Sequence, residues 1–361
     1  MKRTITSILL SACLAATALP ASSQKAENLV IITLDGFRWQ ELFYGADSSL
    51  LSSTYYTPDT ATMQLLYGDA SNSERRKQLL PFFWNVIAKR GQLYGNRSLG
   101  NKINVSNIYA ISYPGYNEIF TGHADITVTN NKRKNNRNIN VLEYLESKPE
   151  FEGRVAAFTS WDVFPYIFNC ERNGLPVNSG YAVSKSEEMD FGEALLQKVQ
   201  QEGINNTATG RYDLLTFLTA KEHLAKHKPR VLYLGLGETD DAAHAKRYDL
   251  YLQKAAQADK MIADLWHWLQ TTPGYQNNTV MLITTDHGRG SKPSNWDSHG
   301  FFIKGSAQTW LAVMGPGIAP IGEVKEPQQW HQKQLAQTMA VLIGEKFIPE
   351  DQPVAGAISL K

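Results

Sequence analysis

Short apolar runs without polar alternation punctuate the chain at 28–34, 154–159, 230–235, 279–284 and 309–314, and each gives way to polar residues. Runs of that length fit strands buried on both faces. Between them, apolar positions recur with helical spacing at 81–90, 141–147, 212–227, 248–270 and 330–343. Strands interleaved with helices predict an α/β fold, a three-layer sandwich around a mostly parallel central sheet, which places ligands at the carboxyl ends of its strands. Two regions break the rhythm: 44–78, polar and rich in Ser, Thr and Tyr, and 167–206. Both are expected to be small cap excursions over the site, where substrate-selecting loops lie. No repeat or linker divides the rest, so one domain over 24–361 is expected.

The 361 residues are 42% hydrophobic and 20% charged, enough to bury a large core. Lys and Arg number 36 against 35 Asp and Glu, a formal net charge of +1, so neither nucleic acid nor an anionic membrane is attracted overall. Met1-Lys2-Arg3, the apolar stretch from Ile5 to Leu19 and Ala21-Ser22-Ser23 have the order of a signal peptide over 1–23. Export to a bacterial periplasm, cell surface or medium is expected, with a mature chain starting near Gln24. The stretch is shorter than the about 20 apolar residues of a membrane span and is broken by Ser11, Thr17 and Pro20. Leu10-Ser11-Ala12-Cys13 also resembles a lipobox, which offers a lipidated Cys13 as the alternative. Loss of Cys13 with the signal leaves Cys170 alone, without a disulfide framework or a cysteine metal site.

The chemistry-bearing residues cluster after the expected strands. The first run ends in Thr33-Leu34-Asp35-Gly36. By position alone, an Asp there is more often a turn or cap residue than a metal ligand. After the run at 230–235 comes Glu238-Thr239-Asp240-Asp241-Ala242-Ala243-His244. Asp240 and His244 are four apart, which puts an oxygen and a nitrogen ligand on one face of a helical turn. Glu238 and Asp241 compete for the carboxylate role but lack that relation to His244. The run at 279–284 leads into Asp286-His287-Gly288, and Trp296-Asp297-Ser298-His299-Gly300 follows. Adjacent Asp and His cannot face the same way on a regular strand, so a turn relaxed by Gly288 must splay them. Carboxylate and imidazole ligands of this kind suit two divalent cations, zinc or manganese rather than calcium.

Taken together, Asp35, Asp240, His244, Asp286, His287 and His299 resemble the metal ligands of the alkaline phosphatase superfamily, in their order and strand-end contexts. Ser112-Tyr113-Pro114-Gly115-Tyr116, with Thr121-Gly122 beyond, resembles that superfamily's nucleophile segment, in which a Ser or Thr two residues before Pro opens a helix. The resemblance implies a phosphoric ester hydrolase acting on a small-molecule phosphate ester. Asp240, His244 and His299 would hold one cation; Asp35, Asp286 and His287 would hold the other, which Ser112 also touches as the nucleophile. Asn130, or Asn131 beside it, would donate to a phosphoryl oxygen; as turn residues they need no such role.

Within that superfamily, Tyr116 stands where sulfatases carry Arg, which argues against a sulfatase. The interval from Gly122 to Arg230 is too short for the inserted domain of phosphoglycerate mutases. A phosphodiesterase or nucleotide pyrophosphatase is favoured, with Trp39, Phe43, Tyr44, Tyr113, Tyr116, Trp161 and Phe164 as stacking candidates near the site. The alternatives are a phosphomonoesterase and a relative that binds without turnover.

Overall fold

The computed structural model describes residues 25–69, 71–182, 189–202 and 210–361. The expected signal segment, Cys13 included, lies outside the described residues. The strands are β1 (Asn28–Leu34), β2 (Gly91–Tyr94), β3 (Asn101–Asn104), β4 (Val155–Thr159), β5 (Val177–Ser179), β6 (Val231–Leu236), β7 (Thr279–Thr284), β8 (Gln308–Thr309), β9 (Leu311–Met314), β10 (Gly322–Glu323) and β11 (Gln328–His331). They form an 8-stranded sheet in the order β10-β2-β9-β7-β1-β6-β4-β5 and a 3-stranded sheet, β11-β3-β8. β7, β1, β6, β4 and β5 run parallel, and β9 runs antiparallel to both β7 and β2. This is the α/β sandwich with a mostly parallel central sheet that the sequence predicts.

β1, β6 and β7 are buried at every position, as strands covered on both faces must be. Alternate residues feed two cores. Val30, Ile32, Leu232, Leu234, Met281 and Ile283 face one way. The helices Asp213–His227 and Tyr248–Thr271 pack there, with Phe217, Leu224 and Leu252 in the same core. Leu29, Ile31, Val231, Tyr233, Val280 and Leu282 face the other way, against Tyr116, Ile119 and Phe120 of helix α1 (Ser112–Thr121) and Met339 of the helix Leu335–Leu342. The remaining helices used below are α2 (Asp213–His227), α3 (Glu238–His244) and α4 (Tyr248–Thr271).

The run expected as one strand over 309–314 divides at Trp310. Its buried indole N–H donates to Phe37 O (2.8 Å), and the backbone leaves the small sheet at β8 for the large one at β9. The helical spacing over 330–343 opens instead as strand β11, because Trp330 pairs with Ile103, a distant partner that no local pattern announces. Within 44–78, the helices Ser48–Leu51 and Thr60–Tyr67 bury Leu50, Leu51 and Met63 in the core that faces α2 and α4, and the helix Asn72–Leu79, which runs just past that range, adds Leu79. Within 167–206, β5 is an edge strand and the helix Phe191–Glu202 lies against α2.

Among the described residues no helix is long and apolar enough to cross a membrane. The central strands finish level: Thr33 pairs with both Gly235 and Thr284, and Thr159 pairs with Gly235. Asp35, Ser160, Gly237 and Asp286 therefore leave the sheet along one edge.

Candidate active site

Asp35 follows β1 directly, and its N–H continues the ladder to Leu236 O (2.9 Å). Gly36 then turns at φ +58, where an added Cβ would lie 2.8 Å from both Asp240 Oδ1 and Arg289 Nε, so only glycine fits. The Gly36 N–H donates to Asp286 Oδ1 (3.0 Å), which ties the ends of β1 and β7 together. His287 Nδ1 donates to Gly288 O (2.9 Å), leaving the lone pair on Nε2. Nε2 points at Asp286 Oδ2 (3.4 Å), Asp35 Oδ1 (3.5 Å) and Ser112 Oγ (3.4 Å).

Asp35 Oδ1 and Asp286 Oδ2 are buried and have no hydrogen-bond partner. Two orphaned carboxylate oxygens converging with an imidazole lone pair lack a donor, and a divalent cation satisfies all three. Burial first, and Asp286 second, push Asp35 up to about 8. Burial pushes Asp286 up to about 7 and His287 down. The donor set fits a cation chemically, and a cation would restore the ionised carboxylates.

A second group adjoins the first. Asp240 Oδ2 lies 3.1 Å from His244 Nε2, which lies 3.1 Å from His299 Nε2. His299 Nδ1 lies 3.3 Å from Ala110 O, so its proton sits there and Nε2 is again a lone pair. The His287 and His299 rings stack with centroids 3.9 Å apart. Burial, followed by His287, pushes His299 far down, so it stays neutral and able to ligate. The ligand-capable atoms that lie together are those of Asp35, Asp286 and His287 in one group and of Asp240, His287 and His299 in a second that shares His287; His244, 53% exposed, stands at the edge of the second beside Asp240 and His299.

Ser112 opens α1 after Ala110, which is held at φ 47. Glu118, fully buried, accepts from Ser106 N (2.7 Å), Asn107 N (2.9 Å) and Lys333 N (3.0 Å), and Asn107 Oδ1 accepts from Ala110 N (2.8 Å). That chain of bonds sets the approach to the serine. Gly115 allows α1 to meet the β7 end, since a Cβ there would lie 2.4 Å from Asp286 O. Gln332, also fully buried, donates from Nε2 to Asp286 O (2.9 Å) and Gly115 O (3.2 Å). Asn130 is exposed; it donates to Thr129 Oγ1 (2.9 Å) and accepts from Lys132 N (3.0 Å), which is the pattern of a turn. Asn131 Oδ1 accepts from Tyr113 N (2.9 Å), one residue after the serine.

Several supporting residues escape sequence reasoning. Tyr116, read from sequence as a stacking candidate, donates its hydroxyl to Asp35 Oδ2 (3.0 Å). Arg289 is fully buried, pairs with Asp240 Oδ1 and donates to Gly36 O (3.1 Å) and Asp297 O, so it binds three loops together. Its position two residues after His287 is the one sequence signal for it. Asp213 has none: its carboxylate accepts from Gly237 N (2.8 Å) and Glu238 N (3.0 Å), while Glu238 Oε2 accepts from Asp213 N (2.9 Å). The starts of α2 and α3 cap each other, and α3 carries Asp240 and His244.

Of the stacking candidates, Phe43 lies in the core, whereas Trp161 and Phe164 pack around Tyr116, with ring centroids 6.5 and 4.6 Å away. Trp39 donates to Gln308 Oε1 (2.9 Å) and packs on Tyr44.

Residues 83–341 match the family model for type I phosphodiesterase / nucleotide pyrophosphatase. Ser112 and five of the six candidate ligands fall inside that span; Asp35 precedes it. No curated protein sequence matches this one. Among solved structures, wild-type alkaline phosphatase PafA superposes with a TM-score of 0.56 at 10% identity, over 89% of this chain and 96% of its own. A putative sulfatase from Bacteroides thetaiotaomicron gives 0.56 at 12% identity, over 92% and 74%. The lipoteichoic acid synthase LtaP from Listeria monocytogenes gives 0.54 at 13%, over 89% and 73%. At such identities the likeness is one of fold.

Proposed function

This chain belongs to the type I phosphodiesterase / nucleotide pyrophosphatase family, and from that premise we propose that it is a metal-dependent phosphodiesterase with Ser112 as nucleophile. The observation that carries the reading is the convergence of Asp35 Oδ1, Asp286 Oδ2 and His287 Nε2, without donors, next to Ser112 Oγ. Asp35, Asp286 and His287 would hold one divalent cation and Asp240, His244 and His299 a second, zinc or manganese by ligand type. Cations held there would supply Lewis-acid chemistry to the attacking and departing oxygens.

The chain's own residues do the rest. Ser112 Oγ would attack phosphorus in line and give up its proton, the bond to the leaving oxygen would break and that oxygen would take up a proton to depart as the alcohol, and water would then cleave the phosphoseryl diester to return the serine hydroxyl and release the phosphomonoester. Glu118 and the α1 start hold Oγ in place, and Tyr116 fixes the plane of the Asp35 carboxylate. Arg289, occupied by Asp240 and two carbonyls, is not available to clamp a phosphate dianion, in keeping with a diester. Phosphomonoester hydrolysis is the second reading. It is favoured by Lys132 and Lys134, which form no ion pair among the described residues and line a 160 Å³ cavity beside Tyr113.

The mature protein is further proposed to be one exported domain starting near Gln24; N-terminal sequencing of protein from fractionated cells tests this. For the reaction, the measurement is steady-state hydrolysis of bis(4-nitrophenyl) phosphate against 4-nitrophenyl phosphate by zinc- or manganese-loaded protein. Ser112→Ala and chelated protein serve as controls. A higher kcat/KM for the diester, lost in both controls, is expected. A preference for the monoester would turn attention to Lys132 and Lys134, and activity that survives Ser112→Ala would remove the serine from the mechanism.

A further inference from the structure

The mouth of this site is apolar where the departing group must leave. His299 is followed by Gly300-Phe301-Phe302-Ile303, and Phe301 and Phe302 are 61% and 90% exposed. The segment lies against the approach to the nucleophile: a Cβ on Gly300 would come 3.9 Å from Ile111 Cγ2 and from Tyr109 O, and His299 Nδ1 reaches Ala110 O. On that approach Ile108 is 51% exposed, and the Tyr109 hydroxyl donates to the carbonyl of Ile126 (2.6 Å), itself 67% exposed. Four large apolar side chains thus sit in water: Phe301 and Phe302 just after His299, Ile108 on the approach to Ser112, and Ile126 on the turn beyond the helix, which Tyr109 holds to that approach. Between Val105 and Ile111 no residue is charged, and none follows His299 before Lys304.

Single exposed apolar residues need no explanation, but a cluster at a site entrance does. We propose that Phe301, Phe302, Ile108 and Ile126 form a collar for the leaving group, and that the favoured substrates are phosphodiesters of an apolar, alkyl- or aryl-bearing alcohol. The proposal rests on the phosphodiesterase reading above and names the substrate class for it. Location decides the occupant. In the outer group His244 is the solvent-exposed member, at 53%, and His299 leads straight into residues 300–302, so an oxygen leaving on that side would carry its substituent past residues 299–302. A second protein copy seated on the collar would close that exit. A pyrophosphate leaving group would find no basic side chain on 105–111 or 300–303, whereas an apolar substituent would cover the two Phe rings and gain free energy with each buried methylene.

The test uses a series of methyl 4-alkylphenyl phosphates with methyl, butyl and hexyl para-substituents, which lengthen the leaving group while barely changing its acidity. With metal-loaded full-length protein, kcat/KM is expected to rise about twofold per half-covered methylene, on the order of thirtyfold from methyl to hexyl. In the double variant Phe301→Ser/Phe302→Ser the hexyl-to-methyl ratio is expected to fall toward one. Circular dichroism and Tm show whether that variant is folded, and both side chains are exposed. A flat series in an active wild type overturns the collar, and so does a slope that survives in the variant. If no member is hydrolysed, the phosphodiesterase reading itself fails and takes this inference with it.

Discussion

The two proposed ligand groups are built differently. Asp35, Asp286 and His287 are on residues that directly extend the paired strands β1 and β7, and their side chains are 7%, 0% and 0% exposed. Asp240, His244 and His299 are on a short helix and a loop, at 16%, 53% and 8%. Backbone ladders fix the first group to within the tolerance of a sheet. The second depends on side chains reaching across: Arg289 to Asp240, Asp213 to the start of α3, and Ala110 O to His299. The inner group is therefore expected to be preformed and the outer group to be the adjustable half, open to solvent and to the incoming ester.

The hardest break of this contrast is His287→Ala, which removes the imidazole facing both inner carboxylates and Ser112. kcat is expected to fall by about 1,000-fold or more, the scale of losing a whole catalytic element, and added zinc should not restore it. His244→Ala is the matching change on the open side. Isothermal titration is expected to show one tight metal equivalent instead of two, with activity partly regained at high metal concentration. Full loss without recovery would mean that the two groups are equally rigid.

Asp213→Asn probes the tether without touching a ligand. An amide presents an N–H to Gly237 N or Glu238 N, so α3 loosens, and affinity for the second metal equivalent is expected to drop about 10- to 100-fold while the first is retained. Tyr116→Phe, which removes the hydroxyl on Asp35, should weaken the first equivalent instead. The same affinity change from both variants would erase the distinction between the groups.

The smallest effect is one of pH. Asp35 and Asp286 are raised to about 8 and about 7 in the metal-free fold, so folding takes up protons between the unfolded carboxylate range and those values. Metal-free stability from these groups is highest below the unfolded pKa and is lost as pH rises toward 8. Bound cations keep both carboxylates ionised and remove that loss. The gain in Tm on adding metal should therefore grow by a few degrees between pH 5 and pH 8.5; a gain that shrinks over that range would contradict the placement of cations on these carboxylates.

What the sequence makes legible follows the same division. The apolar runs at 28–34 and 279–284 end where β1 and β7 end, so the strand-end positions of Asp35 and Asp286 are legible from the core outward. The four-residue spacing puts His244 on one face with Asp240, and a ligand role for all of them comes from the resemblance to the alkaline phosphatase superfamily and not from position alone. Arg289, Asp213, Glu118 and Gln332 are not legible, because each acts on a partner supplied by another strand or loop, and burial makes a polar residue look like any other until its neighbours are known. β11 fails for a related reason: its pairing with β3 is an edge contact between distant segments, and the local spacing around Trp330 imitates a helix. The polar composition of 44–78 likewise hides Leu50, Leu51 and Met63, which reach the core from two separate short helices within a polar stretch.

Gln332 and Lys333 make the site a product of distant parts of the sequence. The amide of Gln332 grips the backbone at Asp286 and at Gly115, and the N–H of Lys333 completes the ring of donors around Glu118. The helix that carries Ser112 is therefore clasped to the end of β7 by a segment far along the chain from Asp35, and the placing of the serine beside the inner carboxylates is a property of the whole fold and not of any one strand-to-helix unit.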